Sequence, residues 1–295
     1  AAAAEHLGFE GFVVVVVGGA DGDAGFLGEG GEGGRIDIIR PVVEIEQVGV
    51  VAFGGGSLAL DLAAAGGTDL ARTADIISDD LTAFGMSADK AGHMADVFAY
   101  TITNTNTNVE MLGETMKYAA PVAHLFGASL EETAALAGLM ANSGIKASQA
   151  GTSLRAGFLR LAGPPKKASK ELNALGVDLD SLYTEQREAA EGMKALGIDM
   201  EKFADGPGKM GKILTELKEK TAGMGQEQKM AALGAIFGTT AVSGWLAVLQ
   251  SSPEDFNAFV KALENSDGEA ARMAQIMQNT AKGALTRLKS AAESA

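Results

Sequence analysis

Apolar residues recur at helical spacing through most of the chain, most regularly from Thr107 to Leu161. Val109, Leu112, Met116, Ala120, Ala123 and Phe126 fall at intervals of three and four, the stripe of an amphipathic helix. Asn108 or Thr107 caps its start, with Glu110 three residues beyond Thr107 as in a capping box. Gly127 stops it, because glycine enters the left-handed C′ conformation without steric strain. Ser129 and Glu132 then spell a second capping box, so a new helix begins within two residues. Its apolar residues Ala134, Leu136, Ala137, Leu139 and Met140 occupy more than one face, which requires burial on several sides by neighbouring helices or by other chains. Gly144 closes it, and a third helix carrying Leu154, Phe158 and Leu161 starts near Ser148. Pro121 removes a backbone donor inside the first of the three and predicts a kink there.

The same grammar extends outward. From Ser57 the segments LALDLAAAGG, DLARTADIISDDLTAFG and DKAGHMADVFAYTITNT read as helices, the last with Met94, Val97, Phe98 and Ile102 on one face. A helix end, a glycine, a small or apolar residue and often a Ser or Asp restart recur at Gly85, Gly127, Gly144, Gly176 and Gly197. An all-α array of short helices joined by glycine turns is the economical reading, although the match is too loose for a solenoid repeat. Gly163-Pro164-Pro165-Lys166-Lys167 is the clearest break, and it divides a helical core over 57–163 from a helical continuation over 164–295. Beyond it, Tyr183 to Leu196 and Lys209 to Thr221 mix Glu and Lys as helices solvated on one face do. Ser252 caps a helix with Pro253 at its first position, and a final amphipathic helix runs from Gly268 to Ser290 through Met273, Ile276, Met277, Ala284, Leu285 and Leu288.

Residues 1–56 follow different rules. They hold 15 of the 39 glycines, no Lys and no Met, and nine acidic residues against two arginines, which is half of the net charge of −14. Val13 to Val17, Ile36 to Ile39 and Val42 to Val51 read as strands between glycine loops. The segment reads as a disordered or poorly folded leader, or as a mis-started or frame-shifted translation. The chain lacks an initiator methionine and a signal peptide, and reads as a fragment or an unusual open reading frame.

Composition narrows the chemistry. Aromatic residues make up 5% of the chain against 46% hydrophobic, so Ala, Gly, Leu and Met must supply most of the core, through close helix contacts. There is no cysteine, hence no disulfide and no thiolate ligand. The charge of −14 disfavours direct binding to a nucleic-acid backbone.

Motifs that carry catalysis or ligand binding all fail their context. Gly28, Gly30 and Gly33 spell GxGxxG but precede a strand-like GRIDIIRP where a dinucleotide site needs a helix. Asp21, Asp23 and Glu32 match three positions of a calcium loop whose obligatory glycine is replaced by Phe26. Gly206 to Ile213, GPGKMGKI, lacks both the strand before a phosphate loop and the Ser or Thr after Lys212, and reads as a turn capping the next helix. His93 and Asp96 share a helix and His124 lies on another, without a third metal ligand; His93 reads as a surface residue and His124 as partly buried. No catalytic, cofactor-binding or metal residue is assigned.

Ala232 to Leu249, ALGAIFGTTAVSGWLAVL, is 18 residues without charge, with Gly234 and Gly238 in a small-xxx-small arrangement. Its hydroxyls and three glycines favour a buried helix or helix pair, and a membrane-interacting helical protein using 232–249 is the alternative reading.

The stretches TADIISDDLTAFGMSADKAGHMADVF, NVEMLGETMKYAAPVAHLFGASLEETAALAGLMANSGIKASQAGTSLRAGFLRL, AIFGTTAVSGWLAVL and ENSDGEAARMAQIMQNTAKGALTRLKSA resemble the core region of phage tail tape measure proteins, from about Leu60 to Ala291. That resemblance implies a structural, non-enzymatic virion protein of long-tailed phages or prophages, without a cofactor. It implies a mostly helical chain in the tail tube lumen that sets tail length and scaffolds tube assembly, after production in the host bacterial cytoplasm. Tail tube protein, tail assembly chaperones and further copies of the chain are the partners it implies. Residues 1–56 depart from the family, where more helix is expected. An acidic chain would also be readily displaced by DNA entering the tube.

Overall fold

Polar caps and glycine turns set the helix ends. The computed structural model describes residues 17–18, 24–25, 58–162, 178–203 and 208–280. Within them lie α1 (Leu58–Gly66), α2 (Leu70–Ala83), α3 (Ala91–Asn104), α4 (Val109–Phe126), α5 (Leu130–Asn142), α6 (Ala147–Leu161), α7 (Leu179–Ala195), α8 (Lys209–Thr221), α9 (Gln226–Phe237), α10 (Val242–Gln250) and α11 (Pro253–Glu264). Residues 269–280 are helical again. Apart from a two-residue antiparallel pairing of Val17–Gly18 with Ala24–Gly25, the described chain is all-α. The remaining parts of the strand-like runs in 1–56, the Gly176 turn, the break at 163–167 and the end of the final helix with Ala284, Leu285 and Leu288 lie outside the described residues.

The caps follow the side chains. Asp69 accepts from the Arg72 amide at the start of α2, and Ser252 accepts from Asp255 ahead of Pro253 at the start of α11. Ser129 and Glu132 form the reciprocal capping box of α5, each such cap contributing about 1 kcal/mol. At α4 the cap is Asn108, whose side chain accepts from the Met111 amide; the Thr107–Glu110 box does not form, because the helix starts one residue later than that box needs. Gly127 ends α4 at φ 86°, ψ 17°, the left-handed geometry its position calls for. α4 runs unbroken through Pro121. α6 starts at Ala147, itself at φ 51°, and its N-cap Lys146 offers no side-chain acceptor.

α5 is the centre of the bundle. It packs against α3, α4, α6, α10 and α11, and its residues Leu130, Ala134, Leu136, Ala137 and Met140 are buried on all sides by this one chain. The most extensive helix pair is α4 with α6. There Gly151 lets the backbones meet: a Cβ at 151 would lie 2.6 Å from the Thr115 carbonyl oxygen, so no larger residue fits. Small residues thus carry much of the packing, as the composition requires. One buried apolar cluster joins α1 through α6 to α8 through α11, with Met193 of α7 in it.

Candidate functional site

The uncharged stretch 232–249 folds as two helices. Gly238, at φ 86°, breaks it, and α9 and α10 meet at 118°. Among the described residues no single helix is long and apolar enough to cross a membrane. The bent pair passes that test by length and composition, yet Leu233, Ile236, Phe237, Trp245 and Val248 are buried in the common core, so nothing in the fold supports the membrane reading.

Breaking a helix frees carbonyls at its C-terminus, and a buried end needs donors for them. Arg160, near the end of α6 and 7% exposed, supplies them for α9. Its Nε donates to the Ile236 carbonyl at 2.9 Å and one terminal nitrogen to the Ala235 carbonyl at 3.0 Å. The same guanidinium meets Glu188 at 3.1 Å and Glu185 at 3.5 Å, both on α7. One cation therefore joins α6, α7 and α9 while complementing the negative end of a helix. Lys218 of α8 does the same for α10, its ammonium donating to the carbonyls of Leu249, Gln250 and Ser251.

Trp245 fixes the other side of the break. Its indole stacks on Phe237 at 4.2 Å and 5° between planes, and meets Phe158 edge-on at 6.3 Å and 87°. Phe158 packs on Phe126 at 5.3 Å, and the Lys209 ammonium lies 4.5 Å from the Phe126 centroid. The indole nitrogen donates to the Ser153 carbonyl at 3.0 Å. Gly157 is required beneath the indole, since a Cβ there would fall 2.2 Å from the ring. Four aromatic residues, Phe126, Phe158, Trp245 and Phe237, thus form a ladder through α4, α6, α10 and α9.

A second polar node ties α3 and α5 to the start of the last helix. His93 Nε2 meets Glu131 Oε1 at 2.7 Å and Nδ1 meets Asp267 Oδ1 at 3.2 Å. Asp96, one turn on, accepts from the Gly268 amide at 2.8 Å and the Ala270 amide at 2.9 Å, capping that helix from a distant part of the chain. The hydrogen bond to Glu131, aided by Asp267 and opposed by burial, holds the His93 pKa above 6.5. Burial pushes Glu131 up, but its bonds to His93 and Ser129 outweigh that and leave its pKa lowered. The structure reverses the expected exposures: His93 is half-buried between two carboxylates and His124 is exposed.

The other candidate motifs separate. Gly208, at φ 82°, caps α8, and Lys209 turns inward, so the described part of the 206–213 run is a helix start. The Glu132 carboxyl, buried beneath that start, faces the Gly208, Met210 and Gly211 amides, and its Oε1 completes no hydrogen bond with them; burial raises its pKa. Gly28, Gly30 and Gly33, and Asp21, Asp23 and Glu32, lie outside the described residues. No three His, Cys, Asp or Glu side chains converge as a metal set among the described residues. Sequence reasoning missed Arg160 and Lys218. The available signal was a basic residue in the apolar run Phe158-Leu159-Arg160-Leu161, a place that demands a buried acceptor.

A family model for phage-related minor tail proteins matches residues 52–238. The chain belongs to that family. As a phage-related minor tail protein it is 40% identical to the tape measure protein of Pneumococcus phage Dp-1 over 80% of its own length and 19% of that protein's. It is also 30% identical to the probable tape measure protein of Escherichia phage P2, over 79% of this chain and 26% of that one. The chain thus spans about a fifth to a quarter of these relatives. No solved structure matches this minor tail protein.

Proposed function

We propose that this chain acts as a tape measure protein: a structural, non-catalytic component that sets tail length and scaffolds tail-tube assembly. The identity of 40% to a tape measure protein, sustained along 80% of the chain, carries the reading. Its partners are then the tail tube protein, the tail assembly chaperones and further copies of itself. Its place is the tail tube lumen, reached after assembly in the host cytoplasm. The described helices refine the role. A ruler needs length, and a helix gives about 1.5 Å per residue, so the 18 residues of α4 reach only about 27 Å before the chain folds back. The described helices therefore serve as a folded, scaffolding part of the tape measure protein, and no extended measuring length lies among the described residues.

The test is an in-frame deletion of α7 (Leu179–Ala195) in a phage encoding this chain, read by electron microscopy. α7 contributes Leu182, Ala189 and Met193 to the buried interior and holds Arg160, so the expected result is loss of tails. Intact tails shortened by about 26 Å would instead make this segment part of the measuring length. Tails unchanged in length and number would overturn the function itself.

A further inference from the structure

α2 carries a carboxyl where its pattern calls for an apolar side chain. Thr73, Ile76, Ile77 and Leu81 form the buried stripe of that helix, and Asp80 lies on it, 2% exposed, with no hydrogen-bond partner for its Oδ2. An open buried acceptor is costly, and an ionised one more so. Its place in the last turn of α2 adds to that cost, because the free carbonyls there form the negative end of the helix and no basic residue offsets them. The contact with α4 is close: a Cβ at Gly113 would lie 2.7 Å from Ile76, and beside it a groove of about 370 Å³ reaches Asp80. Arg72 and Asp79 of α2 and Glu114 and Lys117 of α4 line that groove, and His124 of α4 stands beside Gly85, just past the end of α2. α1, α3 and the short turn Ala88–Lys90 also pack on α2, and they bring Asp61, Asp89, Lys90, His93, Asp96 and Tyr100. Of all these groups Asp79 alone acts on Asp80 as a charge; burial first, and then that charge, push the Asp80 pKa up to about 8.

We propose that Asp80 is a proton-operated latch between α2 and α4. With its proton on, a neutral carboxyl sits in the apolar seam and α2 stays seated against Gly113. Once the proton passes to solvent, a bare carboxylate is left at the negative end of a helix, where burial is unfavourable without a partner cation. The end of α2 then lifts off α4, and water enters from the groove to solvate the charge. The inference does not depend on the tape measure reading and stands or fails separately from it.

The experiment compares the full chain with Asp80→Asn, which keeps a neutral side chain of the same shape. An acid whose folded pKa lies above its unfolded value of 3.8 supports folding fully below that value and loses its contribution as pH rises through the folded one. The unfolding constant of the wild type, divided by that of the variant, should therefore rise about tenfold per pH unit between about pH 5 and 7 and level off above about pH 8. Amide exchange, corrected for intrinsic rates, should accelerate in α2 of the wild type above that pH, while α5 and α6 hold and the variant shows no such change. Parallel stability profiles overturn the proposal, and so does exchange in α2 that stays flat or accelerates together with α5 and α6. If the variant fails to fold, the Asp80 carboxyl resonance of the wild type decides. A midpoint near 8 that coincides with the opening of α2 supports the latch, and titration as an ordinary carboxylate overturns it.

Discussion

Arg160 shows what a single side chain must do when an apolar run is broken in a core. Truncating it leaves the buried Ile236 carbonyl and the part-buried Ala235 carbonyl without their donor, whereas Glu185 and Glu188 stay solvated enough to lose little. Arg160→Met is therefore expected to lower stability by about 2–4 kcal/mol, most of it from the orphaned carbonyls. Denaturant melts of the two proteins measure this directly, and a loss below about 0.5 kcal/mol would mean that water reaches the end of α9. Lys218→Met should cost less, because its carbonyl partners lie at a more open end of α10.

Among the elements, the helix beginning at residue 269 is held at its start, where Ala270 and Ala274 are buried, and is exposed from 275 to 280, with Ile276 and Met277 each 43% exposed. Its anchorage rests on Asp96 and on the bridge from Glu131 through His93 to Asp267. The folded pKa of His93 is raised, so its contribution is full below the unfolded value near 6.5 and fades as pH rises through the folded one. Glu131 has the opposite sign: lowered, it contributes above its unfolded value near 4.5 and fades as pH falls through its folded one. Amide exchange at residues 268–272, corrected for intrinsic rates, should therefore be slowest between about pH 4.5 and 6.5 and accelerate above that range. His93→Gln should remove the alkaline acceleration, and a flat profile in the wild type would disprove the bridge. Local signals in the sequence foretold the helix ends at Gly127, Ser129 and Ser252, because a cap and its helix lie within a few residues of each other. The clamp was not legible: Asp96 and the amides it caps are 172 and 174 residues apart, and only the packing of α3 beside residues 268–270 brings them together. The split of 232–249 was half legible, since glycine and hydroxyl residues argued for a buried helix or a helix pair without deciding between them, while the cationic caps came from α6 and α8.

At the scale of the whole molecule, the question is whether the helices before and after residues 163–177 unfold together. The sequence break there suggests two units, yet Phe158 and Phe126 from the first half pack in one ladder with Trp245 and Phe237 from the second. Gly157 has room for no side chain beneath the indole, and Ser153 accepts its N–H, so Trp245 cannot leave its site without opening the α6 face. Cooperativity follows from that sharing, because neither half can bury its own face of the ladder alone. Trp245 is also the single tryptophan of the chain, a reporter placed at the junction by the sequence itself. Fluorescence from Trp245 and far-UV circular dichroism should therefore change at the same denaturant concentration, with one slope proportional to the surface exposed. If the fluorescence change precedes the loss of helix, the ladder opens first and the two halves fold independently. A single shared transition, shifted equally in both signals by Gly157→Ala, would establish one folding unit across the break, with an expected loss of about 1–3 kcal/mol for the overpacked indole.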